Sequence, residues 1–338
     1  MKRYGNLFEK AFSIDNLYCA YQDARRGKRG RRACFDFDKS VGANIQALFD
    51  EIHSGSYRPQ AYFKFIVYEP KQRVIYAPAF RDIVVQHAIY RVIYDIFDRS
   101  FIDTSFACRV GYGTHRAANY TRRAMQRHGC GEYVLKLDIR KFFYSINRDI
   151  LRRLISRKIK DERLVNIMMI FAEMEEPLGI PIGNLLSQIY ALIYLNPLDH
   201  FVKRVLGVRD YVRYVDDFML IGLSRPACLL FRAVVIAYLR SELELNLSKS
   251  TIQKIKKGVN FCGYRMWKSR VFIRKHSLYK FRKAVGKCCQ ESINSFLGHA
   301  KATNSLIYLL KILKEKIKNG NNIKIPKNYR QIYDALPA

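Results

Sequence analysis

The sequence predicts a mixed α/β (α+β) fold built as two or three intimately joined lobes. Three observations predict it. The 338 residues are 49% hydrophobic and 13% aromatic, enough for a sizeable core, and domains of roughly 100–200 residues make two or three lobes the natural division. Short runs of strand-forming residues alternate with segments whose apolar residues recur at helical spacing. The nine prolines and 18 glycines are scattered, with neither a repeat nor a pooled linker. Disordered, collagen-like and low-complexity classes are thereby excluded.

Charge narrows the function. Sixty Lys and Arg face 29 Asp and Glu, a formal net charge of +31. Such an excess repels itself unless a polyanion neutralises it, so nucleic acid is the leading partner and an acidic membrane the weaker one. The N-terminal residues Met1 to Lys10 contain no uninterrupted apolar stretch, and the longest apolar runs, such as Ile189 to Leu195, fall far short of the ~20 residues that span a bilayer. Eight cysteines form no Cys-x-x-Cys pair. A soluble, cytoplasmic protein with reduced thiols and no membrane partner is the expectation.

The elements follow in order. The basic stretch Arg25 to Arg32, six of its eight residues cationic, reads as a solvated loop or a phosphate-backbone contact, and a helix is expected around Asn44 to Ile52. Tyr62 to Tyr68 and Arg73 to Tyr76 flank a short polar turn and predict a β-hairpin with cations at its tip. Ile83 to Ile96 has helical periodicity and is expected to pack on that hairpin. Tyr133 to Ile139 alternates as a strand and places Asp138 near its end, where a carboxylate is costly to desolvate unless it binds something. Ile146 to Met174 reads as helix. Leu185, Leu186, Ile189, Leu192 and Ile193 mark one face of another, which Pro197 is expected to interrupt. Tyr211 to Ile221 is a second hairpin, with Asp216 and Asp217 at its tip. From His276 the chain turns helical and basic, and Lys314 to Lys327 reads as a lysine-rich, partly mobile tail.

Two acidic stations, Asp138 and Asp216-Asp217, therefore stand on strands of a chain in which carboxylates are scarce. An Asp-Asp pair in a hairpin is usually only a turn. Phosphoryl transfer to a nucleotide, however, needs hard oxygen ligands for Mg²⁺ ions that bridge the phosphates. Aspartates on neighbouring strands would hold two such ions roughly 3.5–4 Å apart.

Tyr214-Val215-Asp216-Asp217 resembles the Y-x-D-D box of reverse transcriptases. Leu137-Asp138-Ile139-Arg140-Lys141-Phe142-Phe143 resembles their first palm motif, Gly183-Asn184-Leu185-Leu186-Ser187-Gln188 their G-x-x-x-S motif, and Phe261-Cys262-Gly263-Tyr264 their primer grip. Arg109, Gly111 and His115 match the segment before the palm. The motifs stand in family order from about Phe63 to Tyr264. The resemblance implies a right-hand polymerase fold: an N-terminal region and fingers over 1–95, palm over 96–147, a fingers insertion over 148–181, the second part of the palm over 182–272, and a short basic helical thumb and tail over 273–338. It further implies Asp138, Asp216, Asp217 and Lys249 as catalytic residues, Lys249 as the proton donor to the leaving pyrophosphate. Two Mg²⁺ ions would be held by Asp138, the Ile139 carbonyl, Asp216 and Asp217, with Asp217 acting less directly. Lys71, Arg73, Phe143, Ile182 and Gly183 would meet the incoming deoxynucleoside triphosphate: Lys71 and Arg73 as a phosphate clamp, Phe143 under the sugar, or else in the core beside Phe142, and Gly183 for close backbone approach to the nascent pair.

Ile182 before the glycine and Gln188 after the serine depart from the commoner family pattern and resemble the diversity-generating retroelement branch. So do Phe80-Arg81-Asp82, Gln86-His87-Ala88 and Phe261 to Arg265, although Ile83 stands where an arginine often follows the aspartate. That branch implies a template-repeat RNA copied into cDNA with errors at adenines, and a small, basic, oligomeric accessory variability protein as partner. The alternatives are a retron, group II intron-like or abortive-infection reverse transcriptase, or a non-catalytic RNA-binding relative. An RNA-dependent RNA polymerase would more often carry Gly-Asp-Asp.

Overall fold

The computed structural model describes residues 2–68, 72–320 and 322–336. Helices α1 (Leu7–Ala11), α2 (Ile14–Arg25), α3 (Arg32–Asp38) and α4 (Val41–His53) precede strands β1 (Phe63–Val67) and β2 (Arg73–Ala77). Then come α5 (Phe80–Asp98), α6 (Thr114–Gln126), β3 (Tyr133–Ile139), α7 (Phe142–Ser145), α8 (Arg148–Ser156), α9 (Glu162–Ile170) and α10 (Leu185–His200). Next are β4 (Asp210–Tyr214), β5 (Asp217–Leu223), α11 (Arg225–Leu243), β6 (Leu247–Lys254), β7 (Val259–Phe261), β8 (Tyr264–Met266) and β9 (Val271–Ile273). The helices α12 (Lys275–Gly286), α13 (Gln290–Ala300), α14 (Leu306–Lys318) and α15 (Lys327–Asp334) end the order.

The chain divides into two compact units, the first made of Met1–Cys108, Asp138–Gly207 and Ala233–Lys249. Its centre is α5, whose Val84, Val85, Ala88, Ile89 and Ile93 are fully buried. This helix packs chiefly on α2, α10 and α1, not on the β1–β2 hairpin as its periodicity suggested. An apolar stripe seeks the largest apolar partner, and helices α2 and α10 offer more than a hairpin whose first strand is exposed throughout. The single helix expected over Ile146 to Met174 is two, α8 and α9. Between them Lys158 and Lys160 pair through their backbones with Tyr4 at 2.7 Å each way, which removes those groups from helical bonding. Asp161 then caps both α9, through Leu164 N–H, and α1, through Leu7 and Phe8 N–H at 3.1 and 2.9 Å.

Pro197 does not interrupt α10. The helix runs through it to His200, because burial along nearly its whole length outweighs the ~3 kcal/mol that an interior proline costs. In the basic stretch, Arg25, Arg26 and Arg32 pair with Asp38, Asp23 and Asp36 at 2.9, 3.1 and 3.7 Å.

The second unit comprises Arg109–Leu137, Val208–Arg232 and Ser250–Ala338. Its framework is β4, β5 and most of β3, from the four-stranded sheet of order β4-β5-β3-β6, with α6 packed on β4 and β5. Beyond it lie the antiparallel sheet β7-β8-β9 and the helices α12 to α15. The lysines expected in a mobile tail are partly structural: Lys314, Lys316 and Lys318 belong to α14, whose opposite face buries Leu306, Leu309, Leu310 and Leu313. No helix among the described residues is long and apolar enough to cross a membrane.

Candidate active site

In the first unit the β1–β2 hairpin is antiparallel, with Phe63 opposite Ala77 and Val67 opposite Arg73. Arg73 is exposed at the start of β2, and Lys71 lies outside the described residues. The hairpin is moored by its backbone. Tyr76 N–H donates to the Ile182 carbonyl at 2.7 Å, and Val74 N–H donates to the Tyr144 hydroxyl at 3.3 Å. Gly183, at φ +124°, passes so close that a Cβ would sit 2.6 Å from the Tyr76 carbonyl oxygen. The close approach that Gly183 permits is thus, in the folded chain, an approach to the hairpin.

The residues after Gly183 build the start of α10. Leu185 and Leu186 N–H groups, orphaned at a helix N-terminus, donate to the fully buried Gln86 Oε1 at 2.9 and 3.4 Å. Asn184 donates to Tyr62 Oη at 2.8 Å and to the Phe171 carbonyl at 3.2 Å. Ser187 Oγ donates to the Pro181 carbonyl at 2.6 Å. The polar residues of this motif hold its shape, while Ile182 stays half-buried and Gln188 exposed.

Asp138 is the sixth residue of β3 and half-buried. Its Oδ1 accepts a hydrogen bond from Ser248 Oγ on β6, and Arg140 N–H donates to the Asn246 carbonyl at 2.7 Å. Ile139 is buried. Lys141 then takes φ +44° and turns the chain into α7. There Phe142 is buried against Tyr194 and Phe143, with ring centroids 6.3 and 5.5 Å away, whereas Phe143 keeps partial exposure. The two neighbouring rings therefore part company: Phe142 is the core residue. Lys249 is exposed on β6, next to Ser248.

In the second unit Tyr214 pairs with Asp217, so β4 and β5 are joined by only Val215 and Asp216. Val215 stands at φ +56°, an uncommon and strained conformation for a β-branched residue. Arg213, fully buried, donates from Nη1 to the Val215 carbonyl at 2.9 Å and helps to hold the turn. Asp217 Oδ2 accepts from Lys136 Nζ at 2.7 Å, and the same ammonium donates to the Asn260 carbonyl of β7 at 2.7 Å. Lys136 thus ties β3, β5 and β7 together. The sequence reading missed it, although a cation alternating with buried Val134, Leu135 and Leu137 signals a residue that needs a partner.

At the other end of β4, Asp210 is buried among Arg127, His128 Nε2 at 2.7 Å and Tyr120 Oη at 3.4 Å. Burial pushes its carboxyl up, but hydrogen bonds from Arg127 and His128 outweigh it and hold the group below its ordinary range. Burial, reinforced by Asp210, pushes Tyr120 up to about 12. Phe261 pairs with Tyr264 around Cys262 and Gly263, both at positive φ, as a type I′ turn requires. Tyr264 Oη donates to the His299 carbonyl at 3.0 Å and lies 3.2 Å from His115 Nδ1. The His299 ring stacks on Tyr264 with centroids 4.4 Å apart. His115 stood among the motif residues; His299, far along the chain, did not.

In the four-stranded sheet, β3 and β5 are neighbours. Among the described residues, no three His, Cys, Asp or Glu side chains form a ready-made metal cage. The donors at the acidic stations are all hard oxygens.

Residues 69–266 match the family model described as reverse transcriptase (RNA-dependent DNA polymerase). The chain belongs to the reverse transcriptase family. Its enzyme class is accordingly that of RNA-directed DNA polymerases, which are nucleotidyltransferases, and the family uses divalent metal ions. Protein YkfC of Escherichia coli K12 is 26% identical over 333 residues, covering 81% of this chain and 82% of YkfC. Group II intron-encoded protein LtrA of Lactococcus lactis is 26% identical over 217 residues, 60% of this reverse transcriptase but only 36% of LtrA. Among solved structures, apo telomerase from Candida tropicalis aligns at a TM-score of 0.51 and 10% identity, covering 85% of this chain and 66% of that one. That likeness bears on fold alone, and with the family match it bears out the right-hand polymerase architecture of fingers, palm and thumb.

Proposed function

We propose that this protein copies RNA into cDNA, with Asp138, Asp216 and Asp217 as its catalytic carboxylates. The observation that carries the reading is the tight Val215–Asp216 turn, held in a strained conformation at the start of β5. Strain of this kind persists where surrounding structure enforces it, commonly at active sites. The residues present fit two Mg²⁺ ions: Asp138, Asp216 and the Ile139 carbonyl would hold them, with Asp217 restrained by Lys136 as a lesser ligand. Mg²⁺ usually takes one or two carboxylates and completes its shell with water and substrate phosphates. Bound there, the ions would neutralise charge on the triphosphate and activate the primer 3′-hydroxyl. Lys71 and Arg73 would clamp the triphosphate and Lys249 would protonate pyrophosphate. The partial exposure of Phe143 supports its role against a ribose 2′-hydroxyl. The lobes would follow the fingers, palm and thumb boundaries expected from the motifs.

Asp216→Asn keeps the shape of the turn but removes a charge. Several kcal/mol of transition-state stabilisation should be lost, about 10³-fold in rate for ~4 kcal/mol, with RNA binding retained. Near-normal cDNA synthesis by this variant would exclude the assignment.

The branch reading is the diversity-generating retroelement, supported by Ile182, Gln188 and their flanks. The protein would copy a template-repeat RNA, err at adenines, act with a small basic accessory protein, and reside in the cytoplasm. A group II intron-like enzyme is the second reading, favoured by the likeness to LtrA. Sequencing cDNA made on an adenine-rich RNA separates them: errors concentrated opposite adenine support the first, an even spectrum the second.

A further inference from the structure

A cavity of about 550 Å³ lies inside the first unit where α5, α8 and α10 end, and none of its lining residues belongs to the motifs above. Arg99, Arg157, Lys158 and Arg204 line it, with Asp103 as the one carboxylate. None of these four cations forms a salt bridge among the described residues. Two buried acceptors add a second demand. Asn196 Oδ1 and His200 Nδ1 have no hydrogen-bond partner among the described residues. His200 Nε2 sits 2.9 Å from the Ser100 carbonyl, an acceptor, so Nε2 carries a proton, and in that tautomer Nδ1 is the acceptor.

Part of this has a local explanation. Arg99 and Arg157 are the C-cap residues of α5 and α8, where cations complement the helix dipole. The same holds for Arg204, in the last turn of the π-helical segment Phe201–Val205, and for Lys158, next to the α8 C-cap. It does not account for the number of cations gathered at one cavity, or for two buried acceptors, each of which costs free energy unless satisfied. The cavity asks for an anion that also brings hydroxyl or amino donors. RNA combines phosphates with 2′-hydroxyls and base amino groups in one chain.

We propose that this cavity docks a folded segment of RNA, with phosphates on Arg99, Arg157, Lys158 and Arg204 and a 2′-hydroxyl or base amino group on Asn196 and His200. The proposal rests on the reading that the protein handles RNA, and it adds an RNA site separate from the copying centre. Burial lowers the pKa of Lys158, a cost that a bound phosphate would reverse.

The test uses the full chain, a hairpin RNA with a purine-rich loop as ligand, and oligo(dT)-primed poly(rA) as copying substrate. Arg157→Glu combined with Arg204→Glu should weaken hairpin binding and reduce the slope of log affinity against log salt by about 1.4–1.8, two phosphates' worth. Asn196→Leu should weaken binding about two- to thirteenfold with the slope unchanged, as expected for one lost hydrogen bond of about 0.5–1.5 kcal/mol. A control pair of exposed cations in the same unit, Lys10→Glu with Arg240→Glu, should alter binding less. Primer extension on poly(rA) should stay within about twofold in all variants, so a defect here is separable from failure of the polymerase reading. Hairpin affinity and slope unchanged in the Arg157/Arg204 pair, or matched by the control pair, would overturn the proposal. Asn196→Leu bears on the donor contacts even if the charge reversals perturb folding, which thermal melting checks, and full hairpin affinity in this variant would equally count against it.

Discussion

The two motif-bearing hairpins are built in opposite ways. Every residue of β1 is exposed, and the β1–β2 ribbon is moored by backbone groups to Ile182 and Tyr144. Strands β4 and β5 are buried along nearly their whole length, pinned at one end by the Asp210 cluster and at the other by Lys136 and Arg213. The difference teaches how each is held. A ribbon that keeps its side chains in solvent is positioned by its main chain. A ribbon that carries a strained turn needs side-chain clamps on both ends, because the cost of Val215 must be met by its surroundings.

Among changes that test this contrast, the largest effect should come from breaking the mooring of the exposed hairpin. Gly183→Ala places a Cβ against the Tyr76 carbonyl at an unfavourable φ, a cost of about 2–4 kcal/mol. We expect kcat/KM for deoxynucleotides to fall at least about tenfold. Amide exchange should quicken in β1–β2 and stay unchanged in β4–β5; equal loosening of both would erase the contrast.

Lys136→Met tests the clamp on the other side. It leaves the Asp217 carboxylate without its ammonium, for which we expect about 1–2 kcal/mol and roughly tenfold slower synthesis. Combined with Asp217→Asn it should cost little more than Asp217→Asn alone. Strict additivity in that double-mutant cycle would mean that the pair does not work as a unit.

Acid distinguishes the hairpins more gently. Asp210 titrates below its ordinary 3.8, so its contribution to stability is complete above that value and lost as pH falls through its folded-state pKa. Exchange measured from pH 5 downward should therefore show β4–β5 loosening only beneath about 3.8. Protection lost already near pH 5 would assign the anchor to another group.

The smallest effect concerns Ile182. A glutamine there could hydrogen-bond near the incoming nucleotide, and one such bond of about 0.5–1.5 kcal/mol changes discrimination only some two- to thirteenfold. Ile182→Gln should lower errors opposite template adenine while sparing yield. An unaltered error spectrum would leave Ile182 without a part in fidelity.

Much of the fold and of the candidate site was legible in the sequence because the signals are local. Alternation marked β3, β4 and β5, a polar turn between strand-formers marked β1–β2, and acids at strand ends marked Asp138 and Asp216. Non-local signals were misread. Helical periodicity in α5 shows that a face is apolar, not which neighbour covers it. The break between α8 and α9 depends on a backbone bridge to Tyr4, more than 150 positions away. Pro197 looked like a helix end because its local cost is visible while the burial that offsets it is not.

By itself, then, the sequence determined the family chemistry: a strongly basic chain with a few strand-borne aspartates in a fixed order. Only the tertiary structure decided which polar residues support the motifs. Gln86 capping α10, Lys136 holding Asp217, Arg213 bracing the turn and His299 stacked on Tyr264 are all contacts between distant segments. Their side chains are unremarkable in one dimension. What fixes them is the expense of burying a charge or a hydrogen-bonding group without a partner, and that expense arises only when folding removes the water.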